Sequence, residues 1–167
     1  MRARLALSVL FAAATGAHAA DLPAAVEKDL QAVADLCREA GGKPLTADTV
    51  KTVDLNADGK PDYVLDVDWV GCDGAAGIYG DREKAVTVYV GDGKGGAVVA
   101  YSGSVFGANL EGSRASTKLW VTVSGALCGK PAAPDFASES FCDRALLWNA
   151  KTAKFELAPI SAARMIQ

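Results

Sequence analysis

The chain is poor in the side chains that most familiar catalytic machinery needs. His18 is its only histidine, and it stands inside an N-terminal segment that carries the marks of an export signal. Arg2 and Arg4 supply a positive start, Leu5 to Ala14 form an apolar run broken only by Ser8, and Ala17-His18-Ala19 has the small-x-small form of a cleavage site. Cleavage after Ala19 removes the histidine. What is left, residues 20–167, cannot run a Ser-His-Asp or Cys-His mechanism and cannot build a His-rich catalytic metal site. There is no G-x-S-x-G elbow and no glycine loop leading into a helix, so acyl transfer of the hydrolase type and phosphate cradling have no visible machinery.

Other shortages narrow the field further. No basic run exists, and the formal net charge is −3 before Arg2 and Arg4 are lost, so nucleic acid is not an expected partner. The N-terminal apolar run is too short to span a bilayer, and no other stretch is long and apolar enough for a transmembrane helix. No cysteine stands at the cleavage point to take a lipid. Only four cysteines occur, Cys37, Cys72, Cys128 and Cys142, with no C-x-x-C pair among them. That spacing is poor for zinc, and in an exported chain the expectation is two disulfides. Three connectivities are open. Cys128–Cys142, closing a loop that holds Pro131 and Pro134, is favoured, which leaves Cys37–Cys72.

What remains reads as one disulfide-stapled domain over residues 20–167, mainly β with a single N-terminal helix. Asp21 can cap a helix over 22–41, Pro23 suits its first turn, and Leu22, Val26, Leu30, Val33 and Cys37 form one apolar stripe. Gly41-Gly42 ends it. Beyond it the period changes to two. Strands are predicted near 50–55, 62–70, 85–90, 97–102, 117–124, 145–148 and 154–157, those at 62–70, 85–90 and 117–124 half-buried by their alternation, in an antiparallel meander of about six to seven strands. Two stretches, about 50–104 and 115–159, follow a similar plan of strand, cysteine, long loop, strand, turn and strand. Internal duplication and coincidence explain this equally well.

One motif carries chemistry. Asp54-Leu55-Asn56-Ala57-Asp58-Gly59-Lys60-Pro61-Asp62 has the form D-x-N-x-D-G-x-x-D. Calcium takes six to eight hard oxygen ligands, and side chains at alternating positions of a tight loop can converge on one point. Asp54, Asn56, Asp58 and Asp62 would offer side-chain oxygens and Lys60 its carbonyl, with Gly59 allowing the reversal. The twelfth position, where an EF-hand needs a glutamate, is Leu65, so the loop is not an EF-hand. A hairpin turn that uses these residues for local hydrogen bonds is the rival reading.

The stretch Asp54 to Asp66, with Val86 to Gly96 downstream, resembles the loop-and-strand signature of FG-GAP and VCBS-type repeats, over roughly Val50 to Tyr101. The resemblance implies a blade-like sheet and a calcium role for Asp54, Asn56, Asp58, Lys60 through its backbone, and Asp62. Propellers need typically four or more blades, and this chain has room for two. Ala97 replaces the aromatic expected after the glycine turn, and Val105 to Gly112 lacks an acidic ladder. The expectation is therefore a blade-like unit with at most one metal site, not a full propeller.

Two long segments, Gly71 to Lys84 with Tyr79 as an exposed aromatic, and Cys128 to Cys142 with Phe136 and Phe141, are the expected binding edge. Asp66, Asp68, Asp73, Asp81 and Glu83 supply carboxylates for a rival reading as a small secreted hydrolase, with a solvated sheet face as their simpler explanation. The functional expectation is an exported, periplasmic or secreted module. It binds a protein or cell-envelope ligand, or serves a structural role in the envelope.

Overall fold

The computed structural model describes residues 22–113 and 116–166. The signal segment over 1–19 and the capping role of Asp21 lie outside the described residues. Among the described residues a single α-helix, α1 (Ala24–Glu39), opens the fold. Pro23 sits at its N-cap rather than in its first turn, and its carbonyl accepts from the amides of Val26 and Glu27. Gly41 ends the helix in the left-handed region at φ +79, which a residue with a Cβ adopts only under strain.

The strands are β1 (Lys43–Leu45), β2 (Val50–Val53), β3 (Asp62–Asp66), β4 (Gly71–Asp73), β5 (Lys84–Gly91), β6 (Ala97–Val105), β7 (Gly107–Glu111), β8 (Lys118–Ser124), β9 (Phe141–Asn149), β10 (Lys154–Leu157) and β11 (Arg164–Met165). All pairs are antiparallel, so the mainly β meander with one helix is the observed class. Among the described residues the sheets close into neither barrel nor propeller. The strand count exceeds the expected six to seven because β1, β4, β7 and β11 carry too little alternation to be read. The strand expected over 62–70 stops at Asp66. There the Asp66 carboxylate accepts the Asp68 amide at 2.9 Å and caps a 3-10 turn over Val67–Trp69.

The first sheet has the order β2-β3-β5-β6, the second β10-β9-β8-β7, with β11 also on β9. Each is a meander whose long connection joins its second and third strands. The chain passes from one sheet to the other through Phe106 alone, whose amide donates to the Thr122 carbonyl at 2.9 Å.

The two sheets share one core. Val64, Val86, Val88, Ala100 and Val105 of the first face Leu119, Val121, Val123, Cys142, Leu146 and Phe155 of the second. The opposite face of the first sheet is covered by α1, where Val26 packs with Tyr63, Leu65 and Tyr89, and with the half-buried Leu22, Leu30 and Val33. The helical stripe is thus a docking face, as its spacing implies. Its attachment is polar as well: the Tyr89 hydroxyl donates to Asp29 at 2.6 Å, and burial together with that carboxylate raises its pKa.

Covering both faces corrects one expectation. β3 was expected to be half-buried, yet all five of its residues are buried. β8 keeps the simple alternation, with Leu119, Val121 and Val123 inside and Trp120, Thr122 and Ser124 outside. On that outer face Arg164 stacks 3.4 Å from the Trp120 ring centre and pairs with both carboxylate oxygens of Glu111 at 3.0 and 2.8 Å. Inside, the buried Arg144 has carbonyl partners only. Its Nε reaches Ala158 at 2.8 Å and its Nη1 reaches Leu127 at 2.9 Å, which ties the turn before Cys128 to the segment after β10.

Both disulfides take the favoured pairing, Cys37–Cys72 and Cys128–Cys142, and no cysteine is free. Two such bonds mark a chain that matures in an oxidising environment. No helix among the described residues is long and apolar enough to cross a membrane. Gly42 fits beneath the first bond only because it lacks a side chain: a Cβ there would lie 2.4 Å from Cys72 Sγ. Cys37–Cys72 closes the longer loop, with a separation of 35 residues against 14. Replacing Cys37 and Cys72 by serine is expected to cost roughly 3–4 kcal/mol, and replacing Cys128 and Cys142 roughly 3 kcal/mol. Urea unfolding of the two double variants checks this; wild-type stability in the first would contradict the bracing role of the helix–loop bond.

Candidate functional site

The acidic loop connects β2 to β3 and is held by its own backbone amides. Asp54 Oδ1 accepts from Asp58 at 3.2 Å and its Oδ2 from Gly59 at 3.0 Å. Asn56 Oδ1 accepts from Asp58 at 3.0 Å, and Asp58 Oδ1 accepts from Lys60 at 2.9 Å. The Lys60 amide holds the Asp58 carboxyl below the usual carboxylate range. Lys60 Nζ lies 3.5 Å from Asp58 Oδ2, an exposed pair of little energetic weight. Ala57 at φ +61 and Gly59 at φ +78 supply the reversal.

Asp62 takes a different position from the other three. It is fully buried, with Oδ2 accepting from Leu55 at 2.9 Å and Asn56 at 3.3 Å, and Oδ1 accepting from Gly91 at 3.3 Å. Burial raises its pKa, opposed by those three amides. The Gly91 contact requires glycine, because a Cβ there would sit 2.0 Å from the Pro61 carbonyl oxygen. Gly91 lets β5 approach the loop closely enough to donate to Asp62.

The donor chemistry suits a hard cation. The oxygens of Asp54, Asn56 and Asp58 that take one amide each retain a second lone pair, whereas Asp62 Oδ2 takes two amides, so Asp62 could serve an ion only through Oδ1. Among the described residues, no three His, Cys, Asp or Glu side chains converge closely enough to hold an ion by themselves. A calcium site here therefore depends on Asn56 and the Lys60 carbonyl as well as on carboxylates.

The second region is the edge formed by the two long loops. Arg82 of the Gly71–Lys84 segment places its guanidinium 4.2 Å from the Phe136 ring centre. Phe136 belongs to a cluster with Phe106 and Phe141, with ring centres 4.9 to 5.9 Å apart. Phe136 is 42% exposed, while Phe106 and Phe141 are half-buried. The two loops are thus joined by a cation–π contact. Neither Arg82 nor Phe106 stood out in the sequence; nothing local marks a residue whose partner is more than fifty positions away or across a sheet junction. Tyr79 takes a role other than the exposed aromatic expected of it. It is half-buried, and its hydroxyl donates to the Val33 carbonyl at 3.1 Å, which pins the loop to α1.

The carboxylates considered for hydrolysis are divided between interior and surface. Asp66 is 1% exposed, contrary to the solvated face expected for it, while Asp68, Asp73, Asp81 and Glu83 are exposed. Three surface hollows of about 150, 310 and 490 Å³ carry one carboxylate each, Asp68, Glu27 and Glu156. A two-carboxylate mechanism needs a facing pair, and none of these hollows holds one. Compared with known proteins, the chain matches no family model, no curated protein and no solved structure.

Asp66 has one oxygen, Oδ2, with no hydrogen-bond partner among the described residues. Burial first, and the neighbouring Asp68 charge second, push its pKa from 3.8 to about 6. Below pH 3.8 the group is neutral folded or unfolded and costs nothing. As pH rises to about 6 the unfolded chain gives up its proton first, so stability falls through that window. The full penalty, on the order of 3 kcal/mol, is present at neutral pH. Asp66→Asn is expected to be more stable than the wild type at about pH 7.5 by roughly 1–3 kcal/mol, with no advantage near pH 4. Chemical denaturation across pH measures this, and a variant less stable at neutral pH would refute it.

Proposed function

We propose that this chain is an exported, non-catalytic binding module of the periplasm or extracellular medium. It engages a protein or cell-envelope ligand through the edge where its two long loops meet. The observation that carries this reading is the Arg82–Phe136 contact, which unites the loops beside a partly exposed aromatic cluster. Aromatic and arginine side chains on a rigid support are the usual anchors of recognition. The single carboxylate in each hollow and the burial of Asp66 favour binding over the hydrolase alternative.

The acidic loop has a structural role in this reading. Calcium, taken through Asp54, Asn56, Asp58, the Lys60 carbonyl and Asp62, braces the β2–β3 connection and so the entry to the central strand. The blade-like unit is of the FG-GAP and VCBS type.

Tagged mature protein, used to capture partners from its native envelope, is expected to retain a defined partner. The double variant Phe136→Ser, Arg82→Ala should lose at least roughly tenfold of that capture. Undiminished capture by the folded variant would overturn the assignment of this edge. Calcium is tested separately, by calorimetry and thermal melting of metal-stripped protein. Binding with a dissociation constant on the order of 0.1–1 mM and a raised melting temperature are expected. Absence of both heat and shift at millimolar calcium would remove the ion from the account.

A further inference from the structure

The 71–84 loop carries a second feature, at its far end. Lys84 opens β5, and its Nζ donates to the Gly80 carbonyl, which closes the tip of the loop onto the sheet. In the register of β3 and β5, Asp66 pairs with Val86, so Lys84 lies two residues along on the same face. Such diagonal neighbours stand about 7–8 Å apart, within reach of a lysine side chain. Yet no ion pair joins them here; Asp66 Oδ2 is buried without a hydrogen-bond partner among the described residues.

Two cations stand diagonal to Asp66 on its own face, Lys84 on β5 and Lys51 on β2, where Lys51 pairs with Val64. Lys51 Nζ donates to the Asp48 carbonyl at 2.7 Å and lies over the Trp69 ring, and Lys84 is the cation whose charge Asp66 feels, so Lys84 is the one placed to answer that oxygen. The 3-10 turn contributes Asp68, a like charge whose amide already occupies Asp66 Oδ1. From β6, Gly103 and Val105 stand across Val86 and Lys84, and β8 lends Leu119, Val121 and Val123 to the same core, none of them titratable. Asp62, on the same strand, has its carboxylate occupied by three amides.

We propose that Asp66 and Lys84 form a protonation-controlled latch on the 71–84 loop. With Asp66 neutral, Lys84 remains on the Gly80 carbonyl and the loop tip is held down. With Asp66 ionised, the buried carboxylate draws the ammonium toward itself, and the Gly80 contact is released. The surface hollow of about 150 Å³ beside the tip, lined by Val67, Asp68, Val70, Ile78, Tyr79 and Lys84, is the space that the motion widens. The pKa of Asp66, pushed up by burial to about 6, sets the transition within the range an exported protein meets. The latch operates on the loop itself and does not depend on the proposed partner.

Hydrogen exchange of the folded mature protein tests this without any ligand. The amides of Ile78 and Gly80 bond within the loop, to Ala75 and Gly77. After correction for intrinsic exchange, they are expected to be roughly fivefold better protected near pH 5 than near pH 7.5. Asp66→Asn should keep the high protection at both values, and Lys84→Met the low protection at both. Thermal melts establish that each variant is folded. A wild-type loop with the same protection at both pH values would overturn the latch, as would an undiminished pH response in Asp66→Asn.

Discussion

Burial of the first sheet on both faces is the constraint on which the rest depends. One face takes α1 and the other takes the second sheet, so β3 has no solvent-facing side. Two aspartates on that strand must then enter the interior. Asp62 does so with three amide donors, which replace the water it loses. Asp66 does so with one, leaving an oxygen bare. A fully buried valine contributes about 1.5–3 kcal/mol, and the shared core holds Val64, Val86, Val88, Val105, Val121 and Val123. Such a core tolerates a single poorly solvated carboxylate, which leaves the group free to serve something other than stability.

The same layering determines where variation is allowed. Each sheet places its long connection between its second and third strands, and each connection carries a cysteine. The disulfides fasten one loop to the helix and close the other on itself. Arg144 adds a third tie through carbonyl oxygens alone, and Arg164 a fourth through Trp120 and Glu111. Against this fixed frame the loops can present Arg82 and Phe136 in a defined relation. The fixed frame beneath the loops, rather than the loop tip, is the physical basis for the proposal that this edge recognises a partner.

Much of the fold was legible in local pattern. The stripe Leu22, Val26, Leu30, Val33 and Cys37 gave the helix and its docking face, and the β10 bounds of 154–157 came directly from alternation and turn chemistry. The short strands β1, β4, β7 and β11 were not legible, since pairing with a neighbour defines them rather than any period of their own. The candidate site was legible in part. The spacing of Asp54, Asn56, Asp58 and Asp62 announced a turn rich in oxygen donors, but not that Asp62 would face inward to Gly91.

By itself the sequence determined the fold class. Period-two patterning, one amphipathic helix, four cysteines and an acidic turn are local properties, and local propensity and solvent preference suffice to read them. Only the tertiary structure decided which residues have a second neighbour. It buried Asp66, turned Tyr79 from an exposed aromatic into an anchor on Val33 and set Arg82 on Phe136. Burial and partnership arise from layers that meet across the chain, and no window of sequence contains both sides of such a contact.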